Sequence, residues 1–260
     1  MQKFLIVYSY LLPMYALYNL KGKTAWITGG KRIGQRVAEV MAGHGANIVI
    51  SYNKSKKEAE ETVKKIKKYN VDALLIQADV SSRQNVTAAV NEIKKHFKKI
   101  DILVLMASVF EKKDLTSITE KDFKKNFDVH VYGTFWPIRE CLSMMLKGSH
   151  VITVSDRTST GITYREYLPY IVSKAAVAQM TRTLAVELGP KGIFVNSIAP
   201  GPVLKPEGMS DKKWEKIRKL SAVNYSITDK EAVDEFAKLA LYLSTARSTG
   251  AVYPLDLGHL

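Results

Sequence analysis

The chain has 260 residues, 46% hydrophobic and 25% charged, a composition that suits one ordinary globular domain and excludes a disordered or fibrous polymer. A single cysteine, Cys141, excludes an intrachain disulfide and fits a reducing compartment, so cytoplasm is the expected location. The formal net charge of +14 admits an anionic partner, but its lysine pairs (Lys64-Lys65, Lys67-Lys68, Lys94-Lys95, Lys98-Lys99, Lys124-Lys125) fall in segments of helical apolar spacing and read as solvated faces; with no nucleic-acid-binding signature beside them, no nucleic-acid role is expected.

The chain opens with MQKFLIVYSYLLPMYALY, a lysine followed by an apolar run. The run from Phe4 to Leu12 is shorter than the ~20 residues a bilayer span needs, Pro13 interrupts it, and no small-residue cleavage site follows. Residues 1–19 are therefore expected to form an apolar extension without stable membrane insertion; a start at Met14 and an interfacial anchor are the alternatives.

From Lys23 onward, short β-branched runs alternate with segments of helical spacing. Strands are predicted at Thr24–Thr28, Asn47–Tyr52, Ala73–Ala78, Ile102–Met106, His150–Val154, Ile193–Ile198 and Val252–Leu255. Between the first two, Ile33, Val37, Val40 and Met41 recur at helical spacing; Ala59, Val63 and Ile66 follow, then Val86, Ala89, Val90, Ile93 and Phe97. Such βαβ alternation predicts an α/β chain: a single Rossmann-type, doubly wound domain over residues 20–260, with a seven-stranded parallel sheet and helices on both faces. No linker or internal repeat divides it.

Three local patterns carry chemistry. The first strand runs through Thr28-Gly29-Gly30-Lys31-Arg32-Ile33-Gly34 into a helix, where glycines let the backbone approach a pyrophosphate and the helix N-terminus offers amides. After the second strand, Asn53-Lys54-Ser55 stands where an acidic residue usually binds the ribose hydroxyls of NAD; with Arg32 nearby, these donors suit the 2′-phosphate of NADP, or form an ordinary polar loop. Tyr170-Ile171-Val172-Ser173-Lys174 puts a phenol and an ammonium one helical turn apart, an arrangement in which the cation is expected to lower the phenol pKa for proton transfer.

With Asp79-Val80 after the third strand and Asn196-Ser197-Ile198-Ala199-Pro200-Gly201 after the sixth, these motifs resemble the short-chain dehydrogenase/reductases, from about Leu20 to Gly258. Within that family the chain is most similar to the pteridine-reductase subgroup, through Lys31-Arg32, SYNKS, Ala107-Ser108-Val109-Phe110, Asp156 in place of a serine, and the run from Pro200 to Gly208. The resemblance implies catalytic roles for Tyr170, Lys174 and Asp156, with Lys174 on the nicotinamide ribose, Ser108 at cofactor or substrate, and Phe110 stacked on a flat substrate ring. It implies a cofactor site formed by Gly29, Lys31, Arg32, Ile33, Asn53, Lys54, Ser55, Asp79, Val80, Ala107, Ser108, Pro200, Gly201 and Val203 together with Tyr170 and Lys174.

The sequence also departs from the family pattern. The glycine loop is one residue short, Leu105-Met106 replaces an asparagine pair, and Asp156 and Tyr170 are fourteen positions apart, one more than usual. His130 replaces the asparagine that helps a proton-relay water, and is either a relay or a satisfied core histidine. Cys141 reads as buried packing, and His44, His96, His150 and His259 lack metal-ligand spacing, so no metal is expected. The expected activity is NADPH-dependent reduction of a carbonyl or pterin-like small molecule by a homotetramer or homodimer built through the fourth and fifth helices. The alternatives are 3-oxoacyl-thioester reduction on an acyl carrier protein and a non-catalytic nucleotide-binding scaffold.

Overall fold

The computed structural model describes residues 18–161, 163–222 and 227–259. Residues 1–17 of the expected extension at 1–19 lie outside the described residues. Within them the strands are β1 (Thr24–Thr28), β2 (Asn47–Tyr52), β3 (Ala73–Gln77), β4 (Ile102–Leu105), β5 (His150–Val154), β6 (Phe194–Pro200) and β7 (Val252–Leu255). They pair in parallel in the order β3-β2-β1-β4-β5-β6-β7. The helices are α1 (Ile33–Gly43), α2 (Lys56–Ile66), α3 (Arg83–His96), α4 (Glu120–Phe127), α5 (Gly133–Cys141), α6 (Leu168–Leu188), α7 (Asp211–Arg218) and α8 (Asp229–Leu243). The expected seven-stranded, doubly wound sheet is what forms.

A strand covered on both faces is apolar at consecutive positions, and β1 is buried throughout. On one face, α1 and α8 pack Val37, Ala38, Met41, Phe236 and Ala240 against Ile27, Ile48 and Ile50. On the other, Val86, Val90, Ile93, Ile138, Cys141 and Leu188 pack against Trp26, Val49, Leu103 and Val151. Cys141 belongs to this second core, where burial pushes its thiol pKa up.

Chain order reverses between β1 and β4, which opens a crevice at the carboxyl ends of the strands. Here the strand ends depart from the sequence reading. β4 stops at Leu105 because the amides of Met106 and Ala107 donate to Thr28 Oγ1, at 3.0 and 3.3 Å, instead of to the ladder. That hydroxyl supports the strand end where the family's asparagine pair is missing. β6 begins at Phe194 and runs on to Pro200, because β7 supplies partners at Ala199 and Pro200.

Candidate active site

At the crevice, Gly29 adopts φ +86° and α1 begins without a capping side chain or an acidic residue in its first turn. A side chain at Gly34 would place its Cβ 1.9 Å from the Gly29 carbonyl oxygen, so the loop closes tightly only with glycine there. Uncapped amides at a helix N-terminus suit a pyrophosphate. Arg32, the residue before α1, is held at φ +58°, an uncommon conformation for a side-chain-bearing residue. Its guanidinium donates to the Lys205 carbonyl, while Lys31 pairs with Glu207 at 2.9 Å and Glu58 at 3.4 Å. The glycine loop is thus tied to the segment that follows β6.

Gly29, Lys31, Arg32, Ile33, Asn53, Lys54, Ser55, Asp79, Val80, Ala107, Ser108, Phe110, Asp156, Tyr170, Pro200 and Gly201 line one cleft of about 1320 Å³. No carboxylate stands among Asn53, Lys54 and Ser55, and Asp79 is occupied by the amide and hydroxyl of Ser81 at 3.0 and 2.6 Å. The extended cleft, the uncapped helix and the donors beyond β2 fit an NAD(P) dinucleotide. Val203 does not line it: the chain turns on its amide bond to the Gly201 carbonyl, which buries the Val203 side chain in the core and leaves Pro202 and Leu204 at the cleft.

Helix α6 begins at Leu168, with Pro169 in its first turn, and carries Tyr170 and Lys174 on its buried face. Tyr170 Oη donates to Asp156 Oδ2 at 2.9 Å, and Tyr164 Oη donates to the same oxygen at 3.4 Å. The other carboxylate oxygen accepts from the Thr158 amide at 2.9 Å. Lys174 Nζ donates to the Val154 carbonyl at 2.7 Å, and it lies 5.8 Å from the centre of the Tyr170 ring. The electrostatics correct the sequence reading of this pair. Burial and then the Asp156 charge push the Tyr170 pKa well above its ordinary value, and the lysine does not reverse this. Burial meanwhile lowers Lys174 to about 8, against a smaller opposing pull from Asp156. Tyr170 is therefore held as the neutral phenol, the form that donates a proton.

His130 occupies a π-helical turn, Asp128–Tyr132, between α4 and α5; such turns recur at functional sites. It is 1% exposed and lies behind the cleft wall rather than in it. Its ring nitrogens are engaged by Ser173 Oγ at 2.8 Å, Ser108 Oγ at 2.9 Å and the Val109 amide at 3.1 Å.

The end of the cleft around Tyr170 is aromatic. Phe110 stacks on Tyr167, with centroids 4.3 Å apart, and meets Tyr170 edge-on at 4.8 Å. Tyr164, Met209, Trp214 and His259 are among the other residues that line the cleft. These four and Tyr167 were not anticipated, although tyrosines at 164, 167 and 170 recur at three-residue spacing into the first turn of α6, a readable signal.

A family model described as enoyl-(acyl carrier protein) reductase matches residues 29–259. Versicolorin reductase of Emericella nidulans is 33% identical over 187 residues, spanning 72% of this chain and 71% of that protein. Hydroxynaphthalene reductase of Aspergillus fumigatus is 34% identical over 196 residues, spanning 75% of this chain and 71% of that protein. A solved short-chain dehydrogenase of Burkholderia cenocepacia in complex with NADP superposes with a TM-score of 0.85 at 27% identity, covering 93% of this chain and 99% of that one. The family model spans the sheet from the end of β1, the glycine turn and α6, the relatives cover more than two thirds of the chain at 33–34% identity, and the chain belongs to the short-chain dehydrogenase/reductase family as an NAD(P)-dependent enzyme.

Proposed function

We propose that this enzyme reduces a carbonyl, or an equivalent polarised double bond, on a flat ring-shaped small molecule, with NADPH as hydride source and Tyr170 as proton donor. The observation that carries this reading is the Tyr170–Asp156 hydrogen bond of 2.9 Å beneath a wall of Phe110, Tyr164 and Tyr167. Stacked and edge-on aromatic rings favour a planar, polarisable ligand over a flexible acyl chain. The relatedness to a versicolorin reductase and a hydroxynaphthalene reductase supports an aromatic ketone or hydroxylated ring. A pterin-like ring has the same shape and stays within the proposal.

Reduced nicotinamide supplies the hydride when bound. The protein's part is the proton and its placement. Burial and Asp156 keep the proton on Tyr170 Oη at neutral pH, and Asp156, fixed by the Thr158 amide, aims the phenol. Lys174, anchored on the Val154 carbonyl, is the candidate for holding the nicotinamide ribose. The preference for NADPH is supported by Arg32, Asn53, Lys54 and Ser55 at the cleft with no acid among them. A homodimer or homotetramer is supported by the exposed apolar side chains of Leu168, Val172 and Val186 along α6.

The test is NADPH oxidation against hydroxylated aromatic ketones, dihydropterins, quinones and 3-oxoacyl thioesters. Turnover of cyclic planar substrates is expected. Turnover of the acyl thioesters alone would replace this reading with the acyl-chain one.

A further inference from the structure

The segment after β4 has no regular structure from Met106 to Asp114, yet it holds Ser108 and Phe110 at the cleft. Its amides need partners. Thr28 takes those of Met106 and Ala107, and the Glu166 carbonyl takes that of Lys113 at 2.7 Å. Between them, the Val109 amide donates 3.1 Å to His130 Nε2.

That bond fixes the chemistry of the imidazole. A backbone amide only donates, so Nε2 carries a lone pair and the ring proton sits on Nδ1. Nδ1 then donates to Ser173 Oγ at 2.8 Å, and Ser173 donates its own proton to the Tyr170 carbonyl at 2.7 Å. This chain ends on a carbonyl, which has no proton to pass on, and Lys174, the cation whose charge acts on the ring, donates to the Val154 carbonyl instead. Burial, followed by the Lys174 charge, keeps the imidazole pKa down to about 2, in agreement with the neutral ring that the bonds require. The ring also meets Tyr170 edge-on, with centroids 5.4 Å apart.

We propose that His130 is a positioning residue for the reaction: a fixed imidazole strut that ties the substrate wall Ser108–Phe110 to the helix carrying Tyr170. It touches the wall through Ser108 and Val109, and the helix through Ser173 and the Tyr170 ring, so it sets how far Phe110 stands from the phenol. What the wall binds rests on the proposed reductase reading; the strut itself does not.

Three variants separate the bonds. Phenylalanine at 130 keeps the ring and its contact with Tyr170 but neither accepts nor donates. Glutamine extends an amide to the Nε2 end and can still accept from Val109; asparagine reaches only the Nδ1 end. Hydrogen exchange of the peptide spanning residues 106–110 is read on the protein without substrate, so a failed reductase assay leaves this test intact. H130F and H130N are expected to speed exchange and H130Q to keep it slow. With a turned-over substrate, H130F should raise the KM for that substrate roughly tenfold or more, as misplacement of a binding wall does, while the pH profile of kcat stays as in the wild type. Unchanged exchange in H130F, or a fall in kcat with KM intact and a displaced pH profile, would overturn the strut in favour of packing or a proton relay. If H130F does not fold, nitrogen-15 NMR of the wild-type imidazole decides. The strut requires the Nδ1–H tautomer, without titration between about pH 5 and 8, and an Nε2–H or titrating ring contradicts it.

Discussion

Tyr170 Oη donates a hydrogen bond to Asp156 Oδ2 across 2.9 Å, so ionising the phenol would set a second negative charge beside that carboxylate. Asp156→Asn keeps an acceptor oxygen but removes the charge that raises the Tyr170 pKa. The Tyr170 ionisation, read as the difference in ultraviolet absorbance titration between each protein and its Tyr170→Phe counterpart, should then move down. A titration that does not move would show that burial alone sets it. Asp156→Ser is expected to depress turnover of ring substrates, whereas a site built for oxoacyl thioesters would tolerate it.

Lys174 gives the enzyme an alkaline limit. Its pKa is lowered to about 8 by burial, so above that value it loses the charge suited to an anionic cofactor. The profile of kcat/KM for NADPH, which reports free-enzyme groups, should fall above about pH 8. Lys174→Met should lower the plateau and abolish that limb.

Acid stability follows from His150, which is stacked on Phe194 at 5.0 Å and lowered from 6.5 to about 4, chiefly by burial and then by Lys23. Between these values the unfolded chain binds a proton that the folded chain refuses, so stability is level above pH 6.5 and is lost as pH falls toward 4. His130, lowered in the same direction, adds to the loss. Urea unfolding midpoints at about pH 7 and about pH 4.5 should differ less in His150→Phe than in the wild type.

Thr28 holds the ends of β1 and β4 together at the cleft. Thr28→Val keeps the volume and leaves two amides without their acceptor, at a cost of ~1–3 kcal/mol for each one that water does not reach. Chemical denaturation should show this loss, with NADPH binding weakened in parallel.

All seven strands were legible because a doubly covered parallel sheet demands uninterrupted apolar runs, and those runs flank readable turns. What decided the exact strand ends was not in the runs: Thr28 stops β4 by competing for its amides, and β7 prolongs β6. The sequence pointed to Gly29 and Arg32, where glycine or charge is compulsory, and to Tyr170, and all three line the cleft. Val203 was misplaced because a valine after a glycine reads alike whether it faces a ligand or the core. The direction of the Tyr170 shift was missed because spacing along a helix shows that Lys174 is near, not that its ammonium turns to Val154. The π turn that carries His130 adds one residue to a helical pattern, which apolar spacing does not register.

The central claim is that Tyr170 supplies the proton as NADPH reduces a ring carbonyl. Its most direct measurement is single-turnover NADPH oxidation by the wild type and by Tyr170→Phe, with a hydroxylated aromatic ketone and with NADPH affinity measured separately by fluorescence. The account predicts rapid oxidation by the wild type and at least a roughly 10²-fold slower rate in the variant, with NADPH bound equally well by both. Equal oxidation rates in the two proteins would contradict it.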